Sequence, residues 1–254
     1  MTDPINTLGL VGTGVMGAGI AQIAAQAGVV VRLFDARDGA AHTAREGLAV
    51  TFAKLVSKGK ISQATMDAAL ANLQVAHVID ALKDCDLVVE AIVENLDAKR
   101  GLLQQLEAIV SPTCILATNT SSLSVTAIAS GCQRPERVAG LHFFNPVPLM
   151  RVVEVIDGLA TAPAVGNALL AFVAHTGHRG VRAKDTPGFI VNHAGRAYGT
   201  EALKMLDEGI VERGDIDRIL RDGAGFRMGP LELLDLTGLD VAHPVMESIY
   251  NQFY

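Results

Sequence analysis

LGLVGTGVMGAGIAQIAAQAGVVVRLFD, residues 8–35, is the stretch that decides the fold. Leu8 to Val11 reads as a short apolar strand, Gly12, Gly14 and Gly17 as a turn, and the following residues as a helix closed by Gly28. A second strand, Val29 to Phe34, ends in Asp35. Each glycine has a physical task. Gly12 permits the tight turn and Gly14 lets a pyrophosphate approach bare backbone, while Gly17 lets the helix pack closely with its N-terminal amides facing the phosphates. Asp35 follows Gly17 by 18 residues and sits at the carboxyl end of the second strand, where a carboxylate accepts hydrogen bonds from an adenosine ribose. Strand, glycine turn, helix, second strand and acid in this order define a Rossmann-type dinucleotide site. The fold expected is α/β, a doubly wound and mostly parallel sheet. The acid favours NAD, because a 2′-phosphate would meet its negative charge; Arg37 weakens that preference somewhat.

Half of the 254 residues are hydrophobic, enough for a large core and far from the composition of a disordered chain. With 21 basic and 27 acidic residues the net charge is −6, which offers no general attraction to nucleic acid or to an anionic membrane. An anionic ligand must be met locally. Cys85, Cys114 and Cys132 have neither metal-ligand nor CxxC spacing, so they read as reduced core thiols, and no metal is expected. No stretch reaches 18 consecutive apolar residues, and the N-terminal run is broken at Gly12; a cytoplasmic protein without a membrane span is expected.

After Asp35 the pattern gives a long helix from Gly39 to Ser57 and a shorter one starting near the cap-like Ser62, a helical hairpin over about residues 39–72. The hairpin's Lys54, Lys58 and Lys60 read either as a solvated face or as a landing place for a phosphate-bearing substrate. Leu87 to Glu90 and Cys114 to Thr118 are strand-like, the first nearly all apolar as in a strand covered on both faces. The loops after them carry Glu94 and Asn95, then Asn119, Thr120, Ser121 and Ser122, at strand ends that lie over the ligand crevice of such sheets. Helix capping by Ser122 or Ser124 is the plain alternative for those hydroxyls.

RVAGLHFFNPVPLMRVVEVI, residues 137–156, is the second informative stretch. Two apolar strands flank a loop containing Pro146 and Pro148, with His142 ending the first and Glu154 inside the second. Alternation places Val152, Glu154 and Ile156 on one face, where an unpaired carboxylate would be costly. His142, 12 residues earlier and returning beside it across the loop, is the simplest partner; a structural ion pair is the alternative to a catalytic one. Lys184 to Gly188 then marks a boundary, beyond which only helical segments follow: Phe189 to Leu206, Ile216 to Arg221, Pro230 to Asp235 and Val241 to Phe253. The expected domains are 1–185, dinucleotide-binding, and 186–254, a smaller all-α domain. Val241, Val245, Ile249 and Phe253 recur every four residues, and Leu231, Leu233 and Leu234 add apolar surface nearby. So small a helical domain has little core of its own, and a two-fold homodimer through these helices is expected.

The motifs GTGVMGAGIA, DLVVEAIVENL, TNTSSL, GLHFFNPVPLM, VVEVI, KDTPGFIVN and GPLELLDLTGLD, spread over essentially the whole chain, give it a specific family likeness. It resembles the short-chain L-3-hydroxyacyl-CoA dehydrogenases, including the 3-hydroxybutyryl-CoA dehydrogenases. The resemblance implies hydride transfer from C3 of a 3-hydroxyacyl-CoA thioester to NAD, with a His/Glu catalytic pair that maps onto His142 and Glu154. It also implies Ser121 near the 3-oxygen and the cofactor, Asn192 beside the reacting carbons, Asn145 in the nicotinamide region, Glu94 and Lys99 around the NAD ribose, and Lys58, with Lys54 nearby, on the CoA phosphates. Two departures stand out. His193 follows Asn192 where the family usually has arginine, with Arg196 one turn later as a substitute, and the chain stops at Tyr254, before the tail such enzymes carry, as a fragment of a longer protein would. Two rival readings accompany this one: a 3-hydroxyacid dehydrogenase acting on a free acid, and a non-catalytic NAD-binding relative.

Overall fold

Strands whose side chains alternate between two faces need cover on both, and this chain supplies it from helices of different parts of the sequence. The computed structural model describes residues 4–254, so the first three positions of the expected 1–185 domain lie outside the described residues. Among the described residues the chain forms β1 (Thr7–Val11), α1 (Val15–Gln26), β2 (Val30–Phe34), α2 (Ala40–Ser57), α3 (Gln63–Asn72), β3 (Leu73–Val75) and β4 (Leu87–Glu90). There follow α4 (Leu96–Ile109), β5 (Ile115–Thr118), α5 (Val125–Ala129), β6 (Val138–His142), β7 (Val152–Asp157), α6 (Pro163–His175) and β8 (Arg179–Lys184). The helices α7 (Val191–Asp207), α8 (Arg213–Arg218), α9 (Pro230–Thr237) and α10 (Leu239–Phe253) complete it. The chain divides into two compact units, one ending at Asp185 and the other Thr186–Tyr254.

In the first unit the strands form one sheet in the order β3-β2-β1-β4-β5-β6-β7-β8. Every pairing is parallel except β6 with β7, which is antiparallel. The order reverses at β1, between β2 and β4, and a crevice outside the carboxyl ends of the strands at that point is where such sheets hold ligands. Leu8, Leu10, Val31, Leu33, Leu87 and Val89 face one layer, packing with Ile20 and Ile23 of α1, Phe52 of α2 and Phe172 of α6. Val11, Val88, Leu116 and Val138 face the other, with Leu103 and Leu106 of α4 and Ile128 of α5. Burial of these side chains, at roughly 25 cal/mol per Å² of apolar area, is the main term holding the sheet together.

Three elements fall where the sequence reading marked none. β3 is three residues long, too short for a pattern; α6 is apolar round most of its circumference; and β8, RGVRAK, is a sheet edge whose charges hide the alternation. In the second unit the helix expected over Ile216 to Arg221 is instead α8 followed by a π-helical turn, Ile219–Gly223. The core of this unit is small: Ala202, Ile216, Leu231 and Leu234. The apolar repeat of α10 does not act as one stripe, since Ile249 is buried while Val241 and Phe253 are exposed. Of the leucines on α9, Leu231 and Leu234 turn inward and Leu233 turns out.

Candidate functional site

At the first turn, Gly12 has a φ of +92°, and a Cβ there would come within 2.7 Å of the Ala91 carbonyl oxygen. A Cβ on Gly17 would lie 1.9 Å from the Gly12 carbonyl oxygen, so α1 sits against the turn at a distance only glycine allows. Gly14 differs. A Cβ there would meet no protein atom within 4 Å, and no side chain caps α1, whose N-cap is Gly14 itself. A helix start with bare amides and open space above it suits a pyrophosphate.

Asp35 is joined to this turn directly. Its Oδ2 accepts from the Thr13 amide (2.8 Å) and hydroxyl (2.9 Å), and its Oδ1 accepts from the Arg37 amide and Nε, both at 3.0 Å. Burial pushes the carboxyl upward, but the Arg37 guanidinium and the Thr13 donors outweigh it and hold Asp35 well below the usual carboxylate range. Arg37, which the sequence set against NAD preference, is turned onto Asp35 with its side chain 73% exposed. These residues fit the adenosine ribose of a dinucleotide.

The second cluster lies on the α4 side of the sheet. Alternation along β4 and β5 points Glu90 and Thr118, their last residues, to that side, and both are fully buried. Lys99 of α4, 1% exposed, donates to both Glu90 oxygens at 3.0 Å and lies 3.4 Å from Glu94 Oε2. Glu94 Oε1 in turn accepts from the Thr120 hydroxyl (2.6 Å), the Ser121 amide (2.9 Å) and hydroxyl (3.3 Å), and the Ser122 amide and hydroxyl, both at 3.2 Å. Burial raises the Glu94 pKa, and Lys99, the Thr120 hydroxyl and the Ser121 amide more than reverse it, so Glu94 stays ionised below its ordinary value. The expected site residues Glu94, Lys99 and Ser121 are thus one network. The Lys99 ammonium is committed to the Glu90 and Glu94 carboxylates inside it. Of the two candidate capping serines, Ser124 caps α5 by accepting from the Ala127 amide, whereas Ser122 is held by Glu94. Asp185 also accepts from the Ser124 hydroxyl and the Val125 and Thr126 amides.

His142 and Glu154 meet on the same face. The antiparallel ladder of β6 and β7 sets Gly140 opposite Ile156 and His142 opposite Glu154, and His142 Nδ1 lies 2.7 Å from Glu154 Oε2. The residues are 4% and 1% exposed. The Phe144 ring stands 4.4 Å from the imidazole, and Asn119 accepts from the Phe143 amide at 3.0 Å, tying the end of β6 to the loop after β5. Asn145 is exposed in the loop that follows, and its peptide bond to Pro146 is cis. An open groove of about 370 Å³ runs between α1, α2 and this loop, lined by Ala18, Gly19, Thr51, Asn145, Pro146 and Val147. Thr51, Lys54 and Lys58 recur at helical spacing on α2 and its C-cap, and both lysines are exposed.

Asn192 belongs to the second unit, half-buried in the first turn of α7. There His193 stands edge-on to Phe253 with ring centroids 5.3 Å apart, and the Arg196 guanidinium lies over the same ring at 4.9 Å. Arg196 therefore spends its charge on an aromatic face of α10. Glu90 and Thr118 entered the sequence reading only as strand ends, not as members of a site. Their signal was a lone carboxylate closing the apolar run LVVE, and Lys99 itself fell in the buried spacing Leu96, Lys99, Leu103, Leu106 of α4. Burial pushes the Cys85 and Cys132 thiols up to about 11 and Cys114 up to about 12, which leaves them protonated at neutral pH. Among the described residues no group of three or more His, Cys, Asp or Glu could hold a metal ion, and no helix is long and apolar enough to cross a membrane.

A sheet whose first turn suits a dinucleotide and whose β6 and β7 hold a buried histidine and carboxylate has the parts of an NAD-linked dehydrogenase, and comparison with known proteins gives the chain a family. The model of the 3-hydroxyacyl-CoA dehydrogenase NAD binding domain matches residues 7–186, and that of the 3-hydroxyacyl-CoA dehydrogenase C-terminal domain matches residues 188–254. The chain belongs to the 3-hydroxyacyl-CoA dehydrogenase family, and its N-terminal part is that family's NAD-binding domain. It is 46% identical over 250 residues to the 3-hydroxyadipyl-CoA dehydrogenase of Escherichia coli (strain K12), covering 98% of this chain and 53% of that protein. The chain thus spans about half the length of that relative. It is 40% identical over 254 residues to a 3-hydroxybutyryl-CoA dehydrogenase of Bradyrhizobium diazoefficiens, covering 99% and 86% of the two chains. The crystal structure of (S)-3-hydroxybutyryl-CoA dehydrogenase from Ralstonia eutropha superposes with a TM-score of 0.95 at 39% identity, covering 98% of this chain and 88% of that one.

Proposed function

We propose that this chain catalyses the reversible NAD-dependent oxidation of a 3-hydroxyacyl-CoA to the 3-oxoacyl-CoA. The observation that carries the proposal is the buried contact of His142 Nδ1 with Glu154 Oε2 at 2.7 Å, at the end of a sheet whose first turn suits a dinucleotide. NAD supplies the acceptor for the hydride that leaves C3. Gly12, Gly14 and Gly17 would hold its pyrophosphate, Asp35 its adenosine ribose, Glu94 the ribose nearer the reaction with Lys99 behind it, and Asn145 the carboxamide end. His142 acts as general base through Nε2, the ring nitrogen that Glu154 does not engage, and takes the proton of the 3-hydroxyl. Glu154 fixes the tautomer and stabilises the imidazolium as it forms; in the reverse direction that imidazolium returns the proton to the developing alkoxide.

Ser121 and Asn192 are proposed to position the 3-oxygen and the reacting carbons, following the family motif. The thioester's nucleotide phosphates meet Lys54 and Lys58, a reading supported by the groove that leads from Asn145 to Thr51 on the lysine-bearing helix. A short-chain substrate such as 3-hydroxybutyryl-CoA fits the names of the Bradyrhizobium and Ralstonia relatives. The 1–185 part is proposed to carry the cofactor, and the 186–254 part the substrate side and a homodimer contact; a cytoplasmic setting suits protonated thiols and an acyl-CoA substrate. NADH oxidation with acetoacetyl-CoA, run beside free acetoacetate, tests the reading. Turnover of the thioester with little on the free acid is the expected result. Turnover of the free acid alone would favour the hydroxyacid dehydrogenase reading, and binding of NADH without turnover of either the non-catalytic one.

A further inference from the structure

Glu90 has no part in the chemistry outlined above, yet it is a carboxylate with 0% exposure at the end of a central strand. Taking such a charge out of water costs several kcal/mol unless it is paired and hydrogen-bonded, and an apolar residue would satisfy the core at less cost. Here every oxygen is engaged. Oε2 accepts from the Ile92 amide at 3.1 Å, Oε1 accepts from the Thr118 hydroxyl, and both accept from Lys99. The contacts lead in two directions to one place. Thr118 Oγ1 accepts from the Thr120 amide at 3.2 Å, so Glu90 grips the base of the serine loop directly. Lys99 passes the hold to Glu94, whose Oε1 gathers Thr120, Ser121 and Ser122. Glu90 is also the ladder neighbour of Val11, immediately before the glycine turn, and the residue after it, Ala91, sets the close approach to Gly12.

We infer that Glu90 is a positioning residue: through Thr118, and through Lys99 and Glu94, it sets where Ser121 stands relative to the cofactor turn. The inference rests on the reading of Ser121 as a contact to the 3-oxygen. A neutral amide in place of the carboxylate keeps the volume but presents a donor toward Lys99, which is left with Glu94 as its carboxylate and draws it out of place. Loss of one charge-assisted hydrogen bond is commonly worth a factor of about ten or more, which sets the scale expected for kcat/KM.

The test is a double-mutant cycle of Glu90→Gln with Ser121→Ala, read as kcat/KM for acetoacetyl-CoA with NADH, alongside the melting temperature of each variant. Glu90→Gln is expected to lower kcat/KM about tenfold or more in the parent and by less than about threefold once Ser121 is alanine. Equal losses in both backgrounds, following the fall in melting temperature, would overturn the inference and leave Glu90 a stability residue. An unchanged kcat/KM in Ser121→Ala alone would overturn the reading of Ser121 itself, and the inference with it. Should Glu90→Gln not fold, Thr118→Val removes only the hydroxyl link; coupling of its loss to Ser121 supports the inference and additivity overturns it.

Discussion

Replacing Glu154 by glutamine isolates the electrostatic part of the His142 pair. The glutamine oxygen still accepts the Nδ1 proton, so the tautomer and the ring orientation survive while the charge is lost. Two unit charges separated by the observed 2.7 Å attract by ~6 kcal/mol at an effective dielectric of about 20. If about half a unit of positive charge has developed on the ring at the transition state, the lost stabilisation is ~3 kcal/mol, or about 10²-fold in kcat. That lies at the lower end of the roughly 10²- to 10⁴-fold typical of general acid and base groups, and His142→Gln, which removes the base itself, should lie higher in the same range. The assay is steady-state oxidation of NADH by acetoacetyl-CoA at saturation, with NADH affinity measured separately by fluorescence. The affinity should stay within a few-fold of the parent, and the double variant should lose less than the sum of the singles because the two side chains act as a unit. A kcat within about threefold of the parent in Glu154→Gln and in His142→Gln would refute the general-base reasoning outright.

Asp35→Ser should erode the preference for NAD over NADP, mainly through affinity; equal or better use of NADP by the parent protein would remove Asp35 from the ribose. Because the folded-state pKa of Asp35 is depressed, its contribution to stability is full above the ordinary carboxylate pKa of about 3.9 and is lost as pH falls below it. The stability difference between parent and Asp35→Ser in denaturant should therefore be constant near neutrality and shrink in acid. Lys58→Ala should raise KM for acetoacetyl-CoA more than for the pantetheine thioester, which lacks the nucleotide phosphates; equal effects would return the lysines to a solvated face. Sedimentation at micromolar concentration should give twice the chain mass of 26.7 kDa, and a monodisperse monomer with full activity would reject the dimer.

What was legible in the sequence was what local pattern encodes. The glycine turn and Asp35 lie within one strand-helix-strand unit. The partnership of His142 and Glu154 followed from a charge on an apolar strand face and a loop short enough to bring the histidine back beside it. The serine loop was visible as polar residues at a strand end and through the likeness of TNTSSL to a family motif. Its organisation by Glu94, Lys99 and Glu90 depends on how α4 lies over the sheet, and that is set by Leu103 and Leu106 packing against β4 and β5. No stretch of sequence states it. Lys99 shows the difficulty well: a lysine read in isolation belongs at the surface, and only its place in the spacing of Leu96, Leu103 and Leu106 marks it as turned inward. The inward and outward apolar residues of α9 and α10 depended likewise on tertiary packing rather than on period alone.

The antiparallel join of β6 and β7 has a bearing on how such a protein can change. His142 and Glu154 stand opposite each other because main-chain ladder bonds hold the two strands in register, not because residues 143–151 measure the distance between them. An insertion or deletion in that connection leaves the register, and so the contact of His142 with Glu154, intact, while it redraws the wall of the groove that Asn145, Pro146 and Val147 form. A one-residue slip of the strands themselves would send Glu154 to the opposite face of the sheet and end the pairing at once. The pairing and the groove wall are thus held by separate parts of one hairpin, so the connection can vary in length and sequence while His142 and Glu154 stay opposite each other.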